Sequence, residues 1–280
     1  MPSYWQNKTC LVTGGSAGLG LALARALAER QARVVLVARR QEPLEAAAAE
    51  LRKSGAQVAA IPANITWQDD VNFLAEKVKA DFGGLDFLAN CAGRSTRGAV
   101  LDTTPEDFQQ LLDVNFLAAV RVTRALAPLV TANRGHLVNI GSLASKVAPR
   151  FMGAYPASKH ALAAYTQQLR LELSRQGVHV LHVCPGPIAR DEESSQQEQP
   201  GRYSADAPGV PAEAQAPGAG ARVKAIDPAR LAAAILKACE RRQPELVIPS
   251  KARFLFAISQ LSASWGDWLL SRSTSKREAD

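Results

Sequence analysis

The chain is poor in aromatic residues: Phe, Trp and Tyr make up 6% of its 280 positions. That argues against a single-strand nucleic-acid surface built on stacked rings. Long basic blocks are missing too. Lys and Arg number 33 against 26 Asp and Glu, a formal charge of +7, but they are scattered, with no basic run beyond a pair or triplet. Scattered charge reads as solvated faces, so no nucleic-acid partner is expected. The excess still suits an anionic partner such as a phosphate or an acidic lipid.

Cysteine is scarce as well. Cys10, Cys91, Cys184 and Cys239 show no C-x-x-C or Cys/His ligand spacing, and they lie in apolar stretches where a free thiol behaves as a small hydrophobe. Neither a disulfide framework nor a metal site is expected, and a reducing, cytoplasmic setting fits. Met1–Thr9 lacks the apolar core of a secretory signal. No stretch reaches the roughly 18 uninterrupted apolar residues of a spanning helix. The chain is expected to be soluble or to rest on a surface.

What is present is ordinary globular composition, 47% hydrophobic and 21% charged, in a length that an α/β sheet routinely uses as one domain. Strand-length apolar runs alternate with helical patterns. Lys8–Thr13, Arg33–Ala38, Val58–Ile61, Leu85–Ala89, His136–Ile140, Val178–Val183 and Glu245–Ile248 read as strands. Leu19–Arg30, Glu42–Lys53, Asp69–Phe82, Pro105–Asn133, Ala154–Gln176 and Asp227–Arg242 read as helices, the last capped by Asp227 with Pro228 in its first turn. The strands do not alternate polar with apolar, as expected when helices cover both faces. The rhythm predicts a doubly wound, Rossmann-type parallel sheet.

The first strand runs into Thr13-Gly14-Gly15-Ser16-Ala17-Gly18-Leu19-Gly20, which opens the first helix. Glycines there permit a tight turn and close approach of backbone to a pyrophosphate, and the helix N-terminus offers N–H groups and a positive dipole end. The spacing is G-x-x-x-G-x-G rather than G-x-G-x-x-G. The second strand ends Val37-Ala38-Arg39-Arg40. An acidic residue at that point would bond the adenosine ribose 2′-OH and repel a 2′-phosphate. Arg39 and Arg40 instead offer donor forks matched to phosphate oxygens. The implied cofactor is NADP(H) rather than NAD(H).

Tyr155-Pro156-Ala157-Ser158-Lys159 opens a long helix with Tyr155 and Lys159 four apart, on one face. A free phenol titrates near 10, and an ammonium within about 4–6 Å can lower a neighbouring acid by about 1–3 units. Ser142 follows the His136–Ile140 strand, at the carboxyl end where ligands bind in open α/β sheets, and its hydroxyl could hold a substrate carbonyl.

These residues together make the chain resemble the short-chain dehydrogenase/reductase family over about Lys8 to Ile248. The T-G-x-x-x-G-x-G loop is Thr13 to Gly20, the N-N-A-G turn appears as Asn90-Cys91-Ala92-Gly93, and the helix asparagine is Asn115 in Asp113-Val114-Asn115-Phe116. The serine and Y-x-x-x-K are Ser142 and Tyr155 with Lys159, and the P-G turn is Pro185-Gly186. The resemblance implies an oxidoreductase moving hydride between nicotinamide and a carbonyl or secondary alcohol. In it Tyr155 is the acid/base, Ser142 holds the oxygen, Lys159 binds the nicotinamide ribose and supports the tyrosinate, and Asn115 holds a relay water. It implies a cofactor site of Gly14, Ser16, Gly18, Leu19 and Gly20 in the loop and Arg39 and Arg40 after the second strand. Asn64 and Ile65 follow the third strand, Asn90, Ala92 and Gly93 the fourth, and Pro185, Gly186 and Ile188 the sixth, with Tyr155 and Lys159 completing the set. A homodimer or homotetramer is implied by the same resemblance. Three positions depart from the family: Asn64 stands where Asp is common, Cys91 replaces the second Asn of the turn, and the threonine that often follows P-G is absent from Pro187-Ile188-Ala189-Arg190. The competing class is a non-catalytic dinucleotide-binding regulatory or scaffold protein, for which the glycine loop alone would suffice.

Two segments stand outside this pattern. Arg190–Arg222, acidic and then Pro/Ala/Gly-rich, is expected to be a substrate lid or a disordered loop. Residues 249–280 form a tail beyond the 1–248 catalytic domain. There Phe254, Ile258, Leu261, Trp265 and Trp268 step by four and three along one helical face. Either that stripe lies in a membrane surface through 251–270, flanked by Lys251, Arg253, Arg272 and Lys276, or it packs on the domain or a partner subunit. An apolar tail near the cleft suggests a bulky, lipophilic carbonyl substrate.

Overall fold

The computed structural model describes residues 3–189 and 224–274. Seven parallel strands form one sheet in the order β3-β2-β1-β4-β5-β6-β7: β1 Thr9–Thr13, β2 Arg33–Ala38, β3 Val58–Pro62, β4 Phe87–Asn90, β5 His136–Ile140, β6 His179–Pro185 and β7 Glu245–Ile248. Helices α1 Gly18–Ala28, α2 Gln41–Lys53, α3 Gln68–Phe82, α4 Pro105–Leu112, α5 Ala118–Ala132, α6 Tyr155–Leu173 and α7 Pro228–Glu240 make the crossovers. Strand order reverses between β1 and β4, and ligands of such sheets bind in the crevice at that point.

Two cores sandwich the sheet. On one face Leu23 and Leu27 of α1, Leu44 and Leu51 of α2, and Ile235 of α7 pack on Val12, Leu36 and Phe87. On the other, Val71 and Leu74 of α3 and Val122 and Leu126 of α5 pack on Leu11, Val35 and Leu137. Fully burying one such side chain contributes about 1.5–3 kcal/mol. The expected helix over Pro105–Asn133 is interrupted. Asp113–Leu117 winds as a π-helical turn between α4 and α5, and the Pro105–Ala132 run, apolar and long enough to cross a membrane by length and composition, instead buries Leu111, Val122 and Leu126 inside the fold. The Arg190–Arg222 segment lies outside the described residues. Its flanks meet, since Ala189 N donates to Ile226 O and Ile226 N to Pro187 O, both 2.8 Å.

At the far end of the sheet from the glycine loop, a directed chain of hydrogen bonds ties down the N-terminal segment. His179 Nε2 faces the carbonyl of Gln243 at 2.7 Å, so it must donate. A neutral His179 then accepts at Nδ1 from His136 Nδ1 (2.9 Å), and His136 Nε2 accepts from the Tyr4 hydroxyl (2.7 Å). Burial, with His179, Arg242 and Lys8 nearby, lowers His136 to about 3. The unfolded chain therefore binds protons here first. This contribution to stability is complete above about 6.5 and is lost as pH falls from there toward about 3. His136→Asn is expected to lower stability at neutral pH and to flatten its decline between those limits, as read by denaturant titration at several pH values. An unchanged pH slope would contradict the assignment.

The tail differs from the single amphipathic helix expected. It forms α8 Ala252–Leu261 and α9 Ala263–Thr274, broken where Ser262 takes extended backbone, φ −153° and ψ 116°. Phe254, Leu261, Trp265 and Trp268 are exposed. The residue that packs is Phe256, with Ala252, Leu255 and Leu270 against Leu143, Val147, Cys184 and Val247. A period of four and three continues unbroken through Ser262, so it carries no sign of the break. Lys276 lies outside the described residues.

Candidate active site

Both halves of the site lie at the carboxyl ends of β1, β4 and β5. After β1, Gly14 takes a left-handed φ of +67°, and a Cβ there would stand 3.0 Å from the Ala92 Cα. Gly20 packs so closely under the turn that a Cβ would collide with the Gly14 carbonyl. The loop thus admits nothing larger than glycine at either position. Ala17, the N-cap of α1, supplies no side-chain acceptor and no acid occupies the first turn. The N–H groups at that helix end are left to an outside anion. Arg39 and Arg40 stand exposed at the end of β2. This arrangement fits a dinucleotide pyrophosphate.

Thr13 joins the two halves. Its buried hydroxyl donates to Ala89 O (3.3 Å) and accepts from Cys91 N (3.1 Å) and Ala92 N (3.3 Å), so one side chain sets the Asn90–Gly93 turn against the glycine loop. The Asn90 side chain turns inward, donating to Thr123 Oγ1 and Asn139 Oδ1. Cys91 keeps some surface exposure, yet desolvation pushes its thiol up to about 12, and it fills space as a neutral group. Asn64 Oδ1 accepts from Thr66 Oγ1 and N, shaping the turn that carries Ile65 on toward α3.

The reacting end is built on β5 and α6. Ser142 stands just beyond β5, and its Oγ accepts from Ala144 N (3.1 Å) while its N–H donates to Ser145 Oγ (3.0 Å). With the oxygen accepting, the hydroxyl keeps its proton to donate. Tyr155 is the first residue of α6. Lys159, one turn on, is buried and places Nζ 5.8 Å from the centre of the Tyr155 ring, with a hydrogen bond to Ile140 O of 2.8 Å. Asn115 sits in the π-helical turn. Its Oδ1 accepts from Arg94 N (2.8 Å), and its Nδ2 donates to Arg94 O (2.9 Å) and Ser158 Oγ (3.0 Å). Ser158 in turn donates to Tyr155 O (2.8 Å). Asn115, Ser158 and the first turn of α6 are one network. Thr13 is the opening residue of the T-G-x-x-x-G-x-G match, whereas Ser158 carries no special spacing of its own; its only hint is a hydroxyl inside a buried element.

Beside Ser142 lies a polar cluster on β6 and β7. Lys146 Nζ reaches Glu245 Oε1 at 2.6 Å, and His182 Nδ1 lies 3.8 Å from the same oxygen and 3.5 Å from Cys184 Sγ. His182 and Lys146 hold the Glu245 carboxyl down at about 2, and burial pushes the Cys184 thiol up to about 12. His182, Cys184 and Glu245, like His136, His179 and Cys239, come within metal-ligand reach of one another, which sequence spacing did not show. Glu245 is engaged with Lys146, and the two imidazoles at the far end with each other.

Comparison with known proteins places this geometry in a family. The short chain dehydrogenase family model matches residues 8–201. The chain is 36% identical over 185 residues to the ketoacyl reductase HetN of Nostoc sp., covering 66% of this chain and 64% of that protein. It is 33% identical to a fatty acyl-CoA reductase of Acinetobacter baylyi, over 64% of this chain and 61% of that one. The chain thus spans somewhat less than two thirds of these relatives. Among solved structures, a metagenomic short-chain oxidoreductase in complex with NADP is 30% identical, with TM-score 0.70 over 88% of this chain and 98% of that one. A short-chain dehydrogenase/reductase from Burkholderia phymatum in complex with NAD shares the fold, with TM-score 0.79 at 23% identity over 99% of each chain. By its sequence motifs, its seven-stranded parallel sheet and its match to the family model, this chain belongs to the short chain dehydrogenase family.

Proposed function

We propose that this protein is an NADP(H)-dependent oxidoreductase that interconverts a carbonyl and a secondary alcohol on a bulky, lipophilic substrate. The observation that carries this reading is the buried Lys159 Nζ, 5.8 Å from the Tyr155 ring at the carboxyl end of β5 with Ser142 alongside. A bound nicotinamide supplies or accepts the hydride; the chain supplies position and proton. Gly14, Ser16, Gly18, Leu19 and Gly20 would hold the pyrophosphate. Ala92 and Gly93 with Pro185, Gly186 and Ile188 would line the nicotinamide side, and Asn64 and Ile65 the adenine side. Ser142 donates to the substrate oxygen. The Tyr155 hydroxyl gives that oxygen its proton on reduction or takes it on oxidation, and the Lys159 ammonium favours the phenolate left behind. Both Asn115 amide protons are engaged by Arg94 and Ser158. A relay water would therefore rest on the remaining Oδ1 lone pair or on carbonyls opened by the π-helical turn.

The fold alone does not choose the cofactor, since solved relatives carry NADP or NAD. Arg39 and Arg40 favour NADP(H), because their guanidinium groups match a 2′-phosphate and nothing acidic precedes them on β2. Arg39→Ala is expected to weaken NADPH binding by about tenfold or more, on the scale of one charge-assisted hydrogen bond, with little change for NADH. Equal losses for both cofactors would contradict that role. Relatives named as ketoacyl and fatty acyl-CoA reductases support a lipophilic substrate. Four free thiols support a cytoplasmic setting, and exposed Leu117 and Leu171 on the α5–α6 side support a homodimer or homotetramer. The test is a panel of carbonyls with NADPH: consumption with long-chain or polycyclic ketones supports the reading. Tight cofactor binding without turnover on any carbonyl would leave a non-catalytic dinucleotide-binding protein.

A further inference from the structure

We propose that the α8–α9 hairpin docks the protein on an anionic lipid surface. The hairpin has a face that is fixed inward and a face that is exposed among the described residues. Phe256 is 8% exposed and packs with Leu255 and Leu270 on Leu143, Val147 and Val247. Phe254 is 76% exposed, Leu261 87%, Trp265 69% and Trp268 52%. At about 100° per residue, Phe254 and Leu261 lie on the side of α8 opposite Phe256, and Trp265 and Trp268 on the side of α9 opposite Leu270. Both exposed stripes therefore share the outer side of the hairpin. Large apolar side chains in such a group mark an interaction surface.

Charge decides between a bilayer and a second copy of this chain. The described tail carries Lys251, Arg253 and Arg272 against Asp267, on a chain of net charge +7. The Arg272 guanidinium lies 4.3 Å over the Trp268 ring, which places a cation at the edge of the aromatic group. Two copies meeting through this same surface would bring its cations together, as an isologous interface pairs a patch with itself. An anionic headgroup layer neutralises them, while Trp rings sit at headgroup level with Phe and Leu below. The hairpin rests on Leu143, the neighbour of Ser142, so docking brings the Ser142 side of the cleft near the lipid.

The test is flotation of the full-length protein with vesicles of phosphatidylcholine alone and of phosphatidylcholine with phosphatidylserine, together with tryptophan fluorescence. Each cation near an anionic surface contributes about fivefold in affinity. The proposal requires binding to the anionic vesicles with a blue shift, and binding weaker by about tenfold or more on the neutral ones. W265S/W268S should abolish flotation and the shift, and K251E/R253E should remove the preference for phosphatidylserine. Size-exclusion profiles and turnover of a water-soluble carbonyl, or NADPH affinity in its place, should stay as in the parent. Wild-type protein that stays in solution with both vesicles overturns the proposal, as does W265S/W268S floating undiminished. A dimer dissolved by W265S/W268S, without vesicle binding by the parent, would assign the face to a second copy. Flotation is read without catalysis, so its outcome and that of the oxidoreductase reading are separable.

Discussion

Tyr155→Phe is expected to lower kcat/KM for carbonyl reduction by about 10²–10⁴, the range that a positioned general acid contributes, with NADPH affinity nearly unchanged. The ring is kept, so the packing of the first turn of α6 is kept. The bonds that run from Asn115 through Ser158 to the Tyr155 carbonyl hold that turn through its backbone, and the substitution removes the proton offered to the substrate oxygen. Ser142 cannot replace it, because its role requires it to keep the proton it shares with that oxygen. Steady-state kinetics with titration calorimetry separate the two quantities. Turnover within about threefold of the parent would remove Tyr155 from the chemistry.

Gly20→Val is expected to weaken NADPH and NADH alike, by about 100-fold or more, and to lower stability by about 1–3 kcal/mol as overpacking does. A Cβ at Gly20 has nowhere to go, since it meets the Gly14 carbonyl carbon at 2.8 Å and the oxygen more closely still. Gly14 cannot retreat, because Ala92 lies behind it and Thr13 pins that turn. The displaced loop no longer offers its N–H groups together. This pattern contrasts with Arg39→Ala, which on the proposed reading would remove only a contact to a 2′-phosphate and should spare NADH. Circular dichroism establishes that the variant is folded, and calorimetry with each cofactor reads the loss. Unimpaired binding would mean that the cofactor does not sit on this loop.

Much of this was legible in the sequence because its physics is local or periodic. Strands covered on both faces read as unbroken apolar runs, and Arg33–Ala38, His136–Ile140 and Glu245–Ile248 emerge with the expected bounds. The Asp227 cap is visible because an acid followed by proline is itself the device, and its carboxylate accepts from Ala229 N and Arg230 N. The π-helical turn at Asp113–Leu117 was not legible, since one extra residue in a turn leaves the apolar pattern around it intact. Nor was the Ser262 break, which the stripe from Phe254 to Trp268 steps across. Contacts between distant strands left no trace either. Nothing in the spacing of His136, His179 and Tyr4 announces that they form one chain of hydrogen bonds, or that the Asn90 amide nitrogen donates to Thr123 and Asn139.

The central claim is that a hydride passes between nicotinamide and a carbonyl carbon with Tyr155 managing the proton. Deuterium offered at the nicotinamide C4 of NADPH and followed into product by mass spectrometry tests it most directly. The account predicts deuterium at the former carbonyl carbon with the wild-type protein and almost none with Tyr155→Phe at equal cofactor occupancy. Bound cofactor that transfers no deuterium to any carbonyl, or transfer undiminished by Tyr155→Phe, would contradict it.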